Sequence, residues 1–187
     1  MKQVWKPGTL VYPLPAVIVS CGNETESNLI TIAWTGTVCT NPAMLYISVR
    51  PERYSHDIIL REMEFTVNLT TAAMARATDL CGVRSGRDCD KWKESGLTPA
   101  PGVACRCPMI AESPISIECR VKSVTSLGSH DMILAEVVDV LADESYIDPE
   151  TGRFCLEKSG LMSYSHGAYY SQGDYLGHFG FSVRKKK

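Results

Sequence analysis

The chain has 187 residues, of which 44% are hydrophobic, and its formal net charge at pH 7 is −2. That length supports one domain with a sizeable core, so we expect a single domain over residues 1–187. The only basic run is at residues 184–187, which argues against nucleic acid as the main partner. The apolar run at residues 16–21 is too short to span a bilayer. We therefore expect a cytoplasmic protein with no membrane partner.

Six short segments rich in β-branched residues predict strands. In chain order they are residues 16–21, 29–34, 44–49, 65–69, 115–124 and 132–141. Residues 117–124 alternate between apolar and polar, which indicates one face on the core. Residues 132–141 are almost continuously apolar, which predicts a strand buried on both faces. The Gly-Ser-His-Asp segment at 128–131, between these two long strands, predicts a hairpin loop.

The first of three predicted helices covers residues 55–62. Ser55 is a favourable N-cap residue and Asp57 places an acid in the first turn, where it complements the helix dipole. We expect His56 to lie on the exposed surface of this helix.

Two further helices are predicted downstream. Residues 71–81 are rich in alanine and precede Gly82, which is typical of a helix followed by a C′ glycine. Residues 88–95 precede Gly96 in the same way. Many strands with three short helices between them predict a closed antiparallel β-barrel. The sequence has neither βαβ alternation nor a Gly-x-Gly-x-x-Gly motif, which excludes a Rossmann dinucleotide site.

The chain contains eight cysteines and no Cys-x-x-Cys motif. Cys105 and Cys107 are the only close pair, and their spacing is poor for a zinc knuckle or a thioredoxin-type dithiol. We expect reduced, mostly buried thiols rather than a disulfide framework. His130 and Asp131 lack a second histidine or cysteine at ligand spacing, so no metal site is predicted.

Polar and aromatic residues follow two of the predicted strands. Asn28 opens one of them and Trp34 ends it; alone, they would be a turn residue and a core tryptophan. The threonines and glycine around residues 35–37 favour a close backbone approach instead. Arg50 and Arg53 precede the predicted helix cap, and a helix N-terminus preceded by arginines can receive a phosphate. Alone, this second segment is more simply a capped helix with solvated arginines.

The most specific stretch is residues 84–92, Arg-Ser-Gly-Arg-Asp-Cys-Asp-Lys-Trp. Together with residues 28–36, 49–56 and 128–131, it resembles the flavin reductase-like, FMN-binding split-barrel family, and most of all the flavoredoxin branch. That branch has Ser-Gly-Lys-x-x-Asp-Lys-Phe here, so Arg87 replaces a lysine and Trp92 a phenylalanine. The resemblance covers nearly the whole chain.

The resemblance implies a mainly β fold, a six-stranded antiparallel Greek-key split barrel that binds FMN and works as a homodimer. It places Lys91 at the flavin phosphate, His130 at the flavin ring or the nicotinamide entrance, and Tyr164 in a ring-stacking position. The implied cofactor-binding residues are Asn28, Thr31, Ile32, Ala33, Trp34, Val49, Arg50, Arg53, Ser55, Ser85, Gly86, Lys91, His130 and Tyr164. The chemistry belongs to flavin N5, and no catalytic protein group is required.

The implied function is hydride transfer from NADH or NADPH to the flavin. Electrons would then pass to small-molecule redox substrates or to a protein electron acceptor. An FMN-binding electron carrier without its own nicotinamide activity is the alternative. A flavin-free barrel that binds haem or pyridoxal phosphate is a third possibility, against which the segment at 84–92 argues. We expect neither Cys39 nor Cys89 to take part in the redox chemistry.

Overall fold

Short runs of β-branched and aliphatic residues form most of the strands, as their composition predicts. The computed structural model describes residues 1–183, so the basic run at 184–187 lies outside the described residues. The strands are β1 (Leu14–Pro15), β2 (Val17–Gly22), β3 (Ser27–Ile32), β4 (Thr35–Thr40), β5 (Ala43–Val49), β6 (Glu64–Leu69), β7 (Pro99–Ala100), β8 (Met109–Ile110), β9 (Ile115–Ser126), β10 (Asp131–Ala142), β11 (Met162–Ser165) and β12 (Ala168–Ser171). The helices are α1 (Tyr54–Glu62), α2 (Ala75–Val83) and α3 (Lys91–Ser95). All six predicted strands and the three predicted helical regions are confirmed.

The main sheet is antiparallel and has the strand order β3-β2-β6-β9-β10-β5-β4. Its two end strands, β3 and β4, are joined in sequence by Ala33 and Trp34, and the Ser48 N–H of β5 donates to the Trp34 carbonyl at 2.9 Å, which extends the β4–β5 pairing to this connection. The predicted mainly β split-barrel class is confirmed, with seven strands in this sheet rather than six. Strands β1, β11 and β12 form a separate small sheet, which shares no strand with the main sheet.

Two buried clusters hold the barrel together. The larger one fills the inside of the main sheet and includes Val19, Ile47, Phe65 and Ile133. The smaller one lies under α2 and α3 and includes Ile18 of β2 and Leu29 of β3, two strands that contribute to both clusters. Because β2 is covered on both faces, all six of its residues are buried.

Strand β10 is not buried on both faces, so that prediction was wrong. Among its apolar residues, only Ile133 and Ala135 are deeply buried, whereas Val140 is 51% exposed. The pairing of β10 with β5 ends at Glu136, opposite Met44. Past that point only β9 pairs with β10 among the described strands, so residues 137–142 of β10 form an edge of the main sheet and carry Val140 to the surface, while the opposite part of β9 stays paired with β6.

The predicted helix ends need three corrections. Arg53, rather than Ser55, is the N-cap of α1, so Ser55 lies inside the first turn. The second helical region begins with a 3-10 turn at Ala72–Met74 and continues through Gly82 to Val83. A Cβ on Gly82 would lie 3.3 Å from the Thr31 Cβ, so this glycine allows α2 to pack closely on β3. The third helix begins later than predicted, at Lys91, and its predicted end at Gly96 is confirmed.

Six of the eight cysteines are buried, in agreement with the prediction of mostly buried thiols, and Cys39 and Cys89 are half-buried. Over residues 1–183, no helix combines the length and the apolar character needed to cross a bilayer.

Candidate functional site

Two adjoining clefts open at the end of β3 and meet at Ile30 and Arg53, which line both. The wide cleft has a volume of about 400 Å³ and the narrow cleft about 280 Å³. Of the fourteen residues predicted to bind the cofactor, the wide cleft is lined by Thr31, Ile32, Ala33, Trp34, Val49, Arg50, Arg53, His130 and Tyr164. The narrow cleft is lined by Asn28, Arg53, Ser55, Ser85, Gly86 and Lys91. The fold therefore brings all fourteen to one continuous site.

Aromatic rings form two walls of the wide cleft. Trp34 packs against His130, with ring centroids 4.6 Å apart and planes inclined by 37°. From the small sheet, Tyr164 and Tyr169 contribute a second pair with centroids 5.6 Å apart. Rings on two walls suit a flat, conjugated ligand, because aromatic faces and edges give favourable contacts to another π-system.

The electrostatic environment of His130 favours the neutral imidazole. Burial lowers the pKa of His130, and the Arg50 guanidinium nearby lowers it further. The His130 ring is fixed by a 2.9 Å contact between its Nδ1 and the Ser129 Oγ. A neutral imidazole near Trp34 can exchange a hydrogen bond with a ligand while the arginines supply the positive charge.

Lys91 is the most deeply buried cation of the narrow cleft, with 4% of its surface exposed. Its Nζ donates to the carbonyls of Leu29 and Cys81, both at 2.8 Å. Because an ammonium group has three N–H donors, one remains available on the cleft side. Burial lowers the pKa of Lys91. Lys91 therefore joins α3 to β3 and α2, and also lines the cleft.

Gly86 makes the narrow cleft possible. A Cβ at this position would overlap with the Asn28 Oδ1 and would lie 2.7 Å from the Tyr54 Cδ1. The Asn28 Nδ2 donates to the Ser55 Oγ at 2.8 Å, and both side chains are buried. Beside them, in the described chain, no side chain caps the N-terminus of α1. Backbone donors, hydroxyls and cations thus converge on a space that suits an anion such as a phosphate.

Three polar residues among those that the sequence interpretation missed in the clefts are Arg84, Tyr169 and Asp79. Arg84 lines the narrow cleft and opens the segment at 84–92, so the motif contained the signal. Tyr169 and Asp79 line the wide cleft, and the Tyr169 hydroxyl donates to the Asp79 Oδ1 at 3.3 Å. Burial, followed by the Asp79 charge, raises the pKa of Tyr169 to about 12. Asp79 lies within an alanine-rich helix, where the sequence carries no signal.

The prediction that His56 lies on the helix surface was wrong. His56 is only 6% exposed, and its Nε2 lies 2.9 Å from the Asp131 Oδ2. Its Nδ1 lies 3.2 Å from the Asp57 Oδ1. The imidazole therefore ties α1 to the start of β10, directly after His130. A histidine between two carboxylates is stabilised there by hydrogen bonds that the sequence pattern does not show.

We expect the contribution of Asp131 to stability to depend on pH. The hydrogen bond from His56 lowers the pKa of Asp131 in the folded protein. A carboxyl group with a lowered folded pKa stabilises the fold above its unfolded pKa, and the effect disappears as the pH falls through the folded value. The difference in unfolding free energy between the wild type and Asp131→Asn should therefore be largest above about pH 4 and shrink below it. Urea unfolding at a series of pH values measures this difference.

Asp57→Asn is the matched control for that measurement, because Asp57 contacts the same imidazole from an exposed position. Exposed ion pairs contribute little to stability, so we expect a smaller effect of Asp57→Asn across the pH range. An Asp131→Asn difference that does not change with pH would contradict the expectation.

Within the described residues, no group of three or more His, Cys, Asp or Glu side chains has the geometry to hold a metal ion. The donor set of the two clefts is instead made of cations, hydroxyls, amides and aromatic rings, as described above.

An antiparallel split barrel with a flat aromatic cleft beside a basic cleft defines the class of flavin-related oxidoreductases. The chain belongs to the flavin reductase-like family, because the model of the flavin reductase like domain matches residues 9–173.

Solved structures agree with this assignment. The flavoredoxin of Desulfovibrio vulgaris (Miyazaki F) is 28% identical, with a TM-score of 0.89 over 98% of this chain and 100% of that one. The flavoredoxin of Methanosarcina acetivorans is 25% identical, with a TM-score of 0.87 over the same shares of both chains. An FMN-binding protein from Thermus thermophilus shares the fold at 23% identity, with a TM-score of 0.81 over 95% of this chain and 99% of that one.

Proposed function

We propose that the protein binds FMN across the two clefts, with the phosphate in the narrow cleft and the isoalloxazine in the wide cleft. The observation that carries this proposal is that different types of side chain line the site on the two sides of Ile30 and Arg53. Cations, hydroxyls and backbone donors lie on one side, and aromatic rings on the other. A phosphate needs the first set, and a flat redox ring needs the second.

The residues of each cleft have separate tasks in this proposal. Lys91, Arg53 and Ser85 would hold the phosphate end, while Asn28 and Ser55 face the chain that joins the phosphate to the ring. Trp34 and Tyr164 would cover the ring, and neutral His130 would exchange a hydrogen bond at its edge. Arg50 and Arg53 keep the region positive, which favours the electron-rich form of a bound ring.

We propose that the protein is an FMN-dependent oxidoreductase of the flavin reductase or flavoredoxin type. The bound flavin would supply the redox chemistry, taking a hydride from NADH or NADPH and passing electrons to a small-molecule substrate or a protein acceptor. In the protein, the aromatic walls position the rings, whereas His130 and the arginines set the local charge. No further acid or base is therefore needed. The family membership and the flavoredoxin neighbours support this reading.

An electron carrier that binds FMN but has no nicotinamide activity is the second candidate. Two of the similar solved structures favour it, because they are named flavoredoxins and not reductases. The fold does not require a separate dinucleotide site for either function. Whether NADH or NADPH can enter the wide cleft therefore decides between the reductase and the carrier.

The visible spectrum of the purified protein, followed anaerobically as NADH and then NADPH is added, tests both candidates. A yellow protein that bleaches with one donor is a reductase and identifies that donor. A yellow protein that bleaches only with dithionite is a carrier. A colourless protein that takes up no added FMN contradicts the cofactor assignment. If Lys91→Ala and Trp34→Ala both leave FMN affinity unchanged, the two clefts are not the flavin site.

We further propose that two copies of the chain associate through the outer half of β10, residues 137–142. Val140 is exposed there, on the stretch of β10 that has no partner on the β5 side among the described strands. A continuous apolar strand face is what a second copy would cover. Sedimentation should show a dimer for the wild type, a monomer for Val140→Glu, and a dimer for the control Val4→Glu, whose site lies on the exposed N-terminal segment.

A further inference from the structure

The loop at residues 127–130 carries His130 to the wide cleft, and the Nδ1 and the carbonyl of this histidine both bond within the loop itself. The Leu127 N–H donates to the His130 carbonyl at 2.9 Å, which closes the loop. The Ser129 Oγ lies 2.9 Å from the His130 Nδ1. Leu127 is 62% exposed, and a Cβ on Gly128 would meet nothing within 4 Å, so packing does not hold the tip. The position of the His130 ring therefore needs an anchor outside the loop.

Asp131, the residue after His130, supplies that anchor. Its Oδ2 lies 2.9 Å from the His56 Nε2, and the side chains of Asp131 and His56 are 14% and 8% exposed. Within the described chain, this is the one side-chain hydrogen bond that joins residues 127–131 to an element outside the β9–β10 hairpin. An ionised carboxylate can only accept, so the His56 Nε2 carries the hydrogen and donates it. Water reaches this bond poorly and does not readily replace it.

Helix α1 gives this bond a firm base. Ile58 and Ile59, two and three residues after His56, are buried in the larger core cluster. Ser55, the residue before His56, lines the narrow cleft, where its hydroxyl accepts a hydrogen bond from Asn28. The first turn of α1 thus contacts the narrow cleft through Ser55 and the β9–β10 hairpin through His56. Movement of the first turn relative to the barrel would require α1 to leave the core.

We propose that His56 is a positioning residue of the flavin site, and that its bond to Asp131 holds the His130 ring in place. That bond fixes the chain directly after His130, which keeps the ring 4.6 Å from the Trp34 ring, measured between centroids. His56 lies outside the lining of the two clefts, so it acts on a bound flavin through His130. The consequence for FMN rests on the proposed function, whereas the placement of His130 does not.

NMR of the flavin-free protein tests the placement of His130. In the wild type, the His56 Nε2–H should give a proton signal that is protected from exchange with water. The His130 ring should show nuclear Overhauser effects to the Trp34 indole. His56→Asn should lose the bond, because the shorter amide reaches no further than the position of Nδ1. The Overhauser effects should then disappear, and the pKa of His130 should rise towards its ordinary value, because burial and Arg50 lower it in the wild type.

His56→Gln is the matched rescue, because its longer amide can donate to Asp131 from the position of Nε2. This variant should restore both the contacts and the pKa of His130 to those of the wild type. The variants at position 56 share the charged groups that face His130 from the segment after β5, which are Arg50, Glu52 and Arg53. A change in the pKa of His130 between these variants therefore reports the position of its ring.

Two further variants complete the test. Asp57→Asn should leave His130 in place, because Asp57 contacts the other ring nitrogen of His56 from an exposed position. Asp131→Ala breaks the same bond from its other end, and it replaces His56→Asn if a melting curve shows that His56→Asn has not folded. A freely exchanging His56 Nε2–H, or a folded His56→Asn or Asp131→Ala protein whose His130 still contacts Trp34, overturns the proposal.

Flavin titration then measures the consequence for the ring end. His56→Asn should lose about fivefold affinity for FMN and for riboflavin alike, because the two flavins share the ring and differ only at the phosphate. A wild type that binds neither flavin would contradict the proposed function alone, since the NMR measurements on His130 need no flavin.

Discussion

Replacing Gly86 with alanine should lower FMN affinity by at least about 100-fold, equivalent to about 2.7 kcal/mol of binding free energy. The added Cβ would overlap with the Asn28 Oδ1 and press on the Tyr54 ring, so one of these must move into the narrow cleft. The loss arises at the phosphate end and should therefore be smaller for riboflavin, which lacks the phosphate. Titration of each flavin against protein fluorescence measures both affinities.

Gly173→Ala is the control for this prediction. Gly173 has open space around its Cα, so an added methyl group meets nothing within 4 Å. We expect wild-type affinity for both flavins in this variant. If Gly86→Ala binds FMN as well as Gly173→Ala does, the narrow cleft is not the phosphate site. If both flavins lose affinity equally, the overlap acts on the ring end instead.

Replacing Glu118 with alanine should lower the free energy of unfolding by about 3 kcal/mol. Glu118 is fully buried and accepts two backbone N–H groups of the loop that carries Cys105. Removal of the carboxylate would leave both part-buried N–H donors without their acceptor and a cavity where the fully buried side chain had been, and each of these changes costs stability. Urea unfolding at matched protein concentration measures the change.

Glu112→Ala serves as the comparison, because Glu112 also accepts a backbone N–H, that of Thr98, but from an exposed position. Water can replace this acceptor, so we expect a loss below about 1 kcal/mol. Equal losses in the two variants would show that burial of the Glu118 carboxylate does not decide its contribution.

Composition predicted the strands of the main sheet well where an apolar run is long enough to identify. The segment at 65–69 became β6, and the segment at 44–49 became β5. Strand β4, Thr-Gly-Thr-Val-Cys-Thr, was not predicted, because it is an edge strand with mostly polar residues. Strands β11 and β12 were missed for a related reason, since four-residue aromatic segments give too short a pattern.

Local patterns failed where tertiary contacts decided the outcome. Ser55 has the composition of an N-cap, yet its hydroxyl accepts a bond from Asn28 of a distant strand. His56 has the position of a surface residue, yet Asp131 of β10 holds it inside. Both partners lie far away in sequence, and a single chain without its relatives gives no signal for such pairs. The same holds for the end of the β10–β5 pairing at Glu136, which leaves the outer half of β10 as a sheet edge.

The candidate site was easier to predict than the element ends. Residues such as Trp34, Lys91 and His130 belong to motifs whose resemblance to a family covers nearly the whole chain, and all of them line the two clefts. Tyr169 and Asp79 were missed because they meet only when the small sheet lies against α2. The prediction therefore succeeded where the binding residues are contiguous in sequence and failed where two distant segments build one wall.

The origin of the two aromatic walls suggests a route by which this barrel could change the molecules it accepts. Trp34 and His130 belong to the large sheet, whereas Tyr164 and Tyr169 belong to a sheet of only ten residues, joined to the rest of the barrel by few hydrogen bonds such as the Thr71–Leu161 bridge. The gap between the walls thus depends on a minor docking contact rather than on the core. Substitutions at that contact would alter the width of the opening for a second substrate and leave the residues around the phosphate untouched.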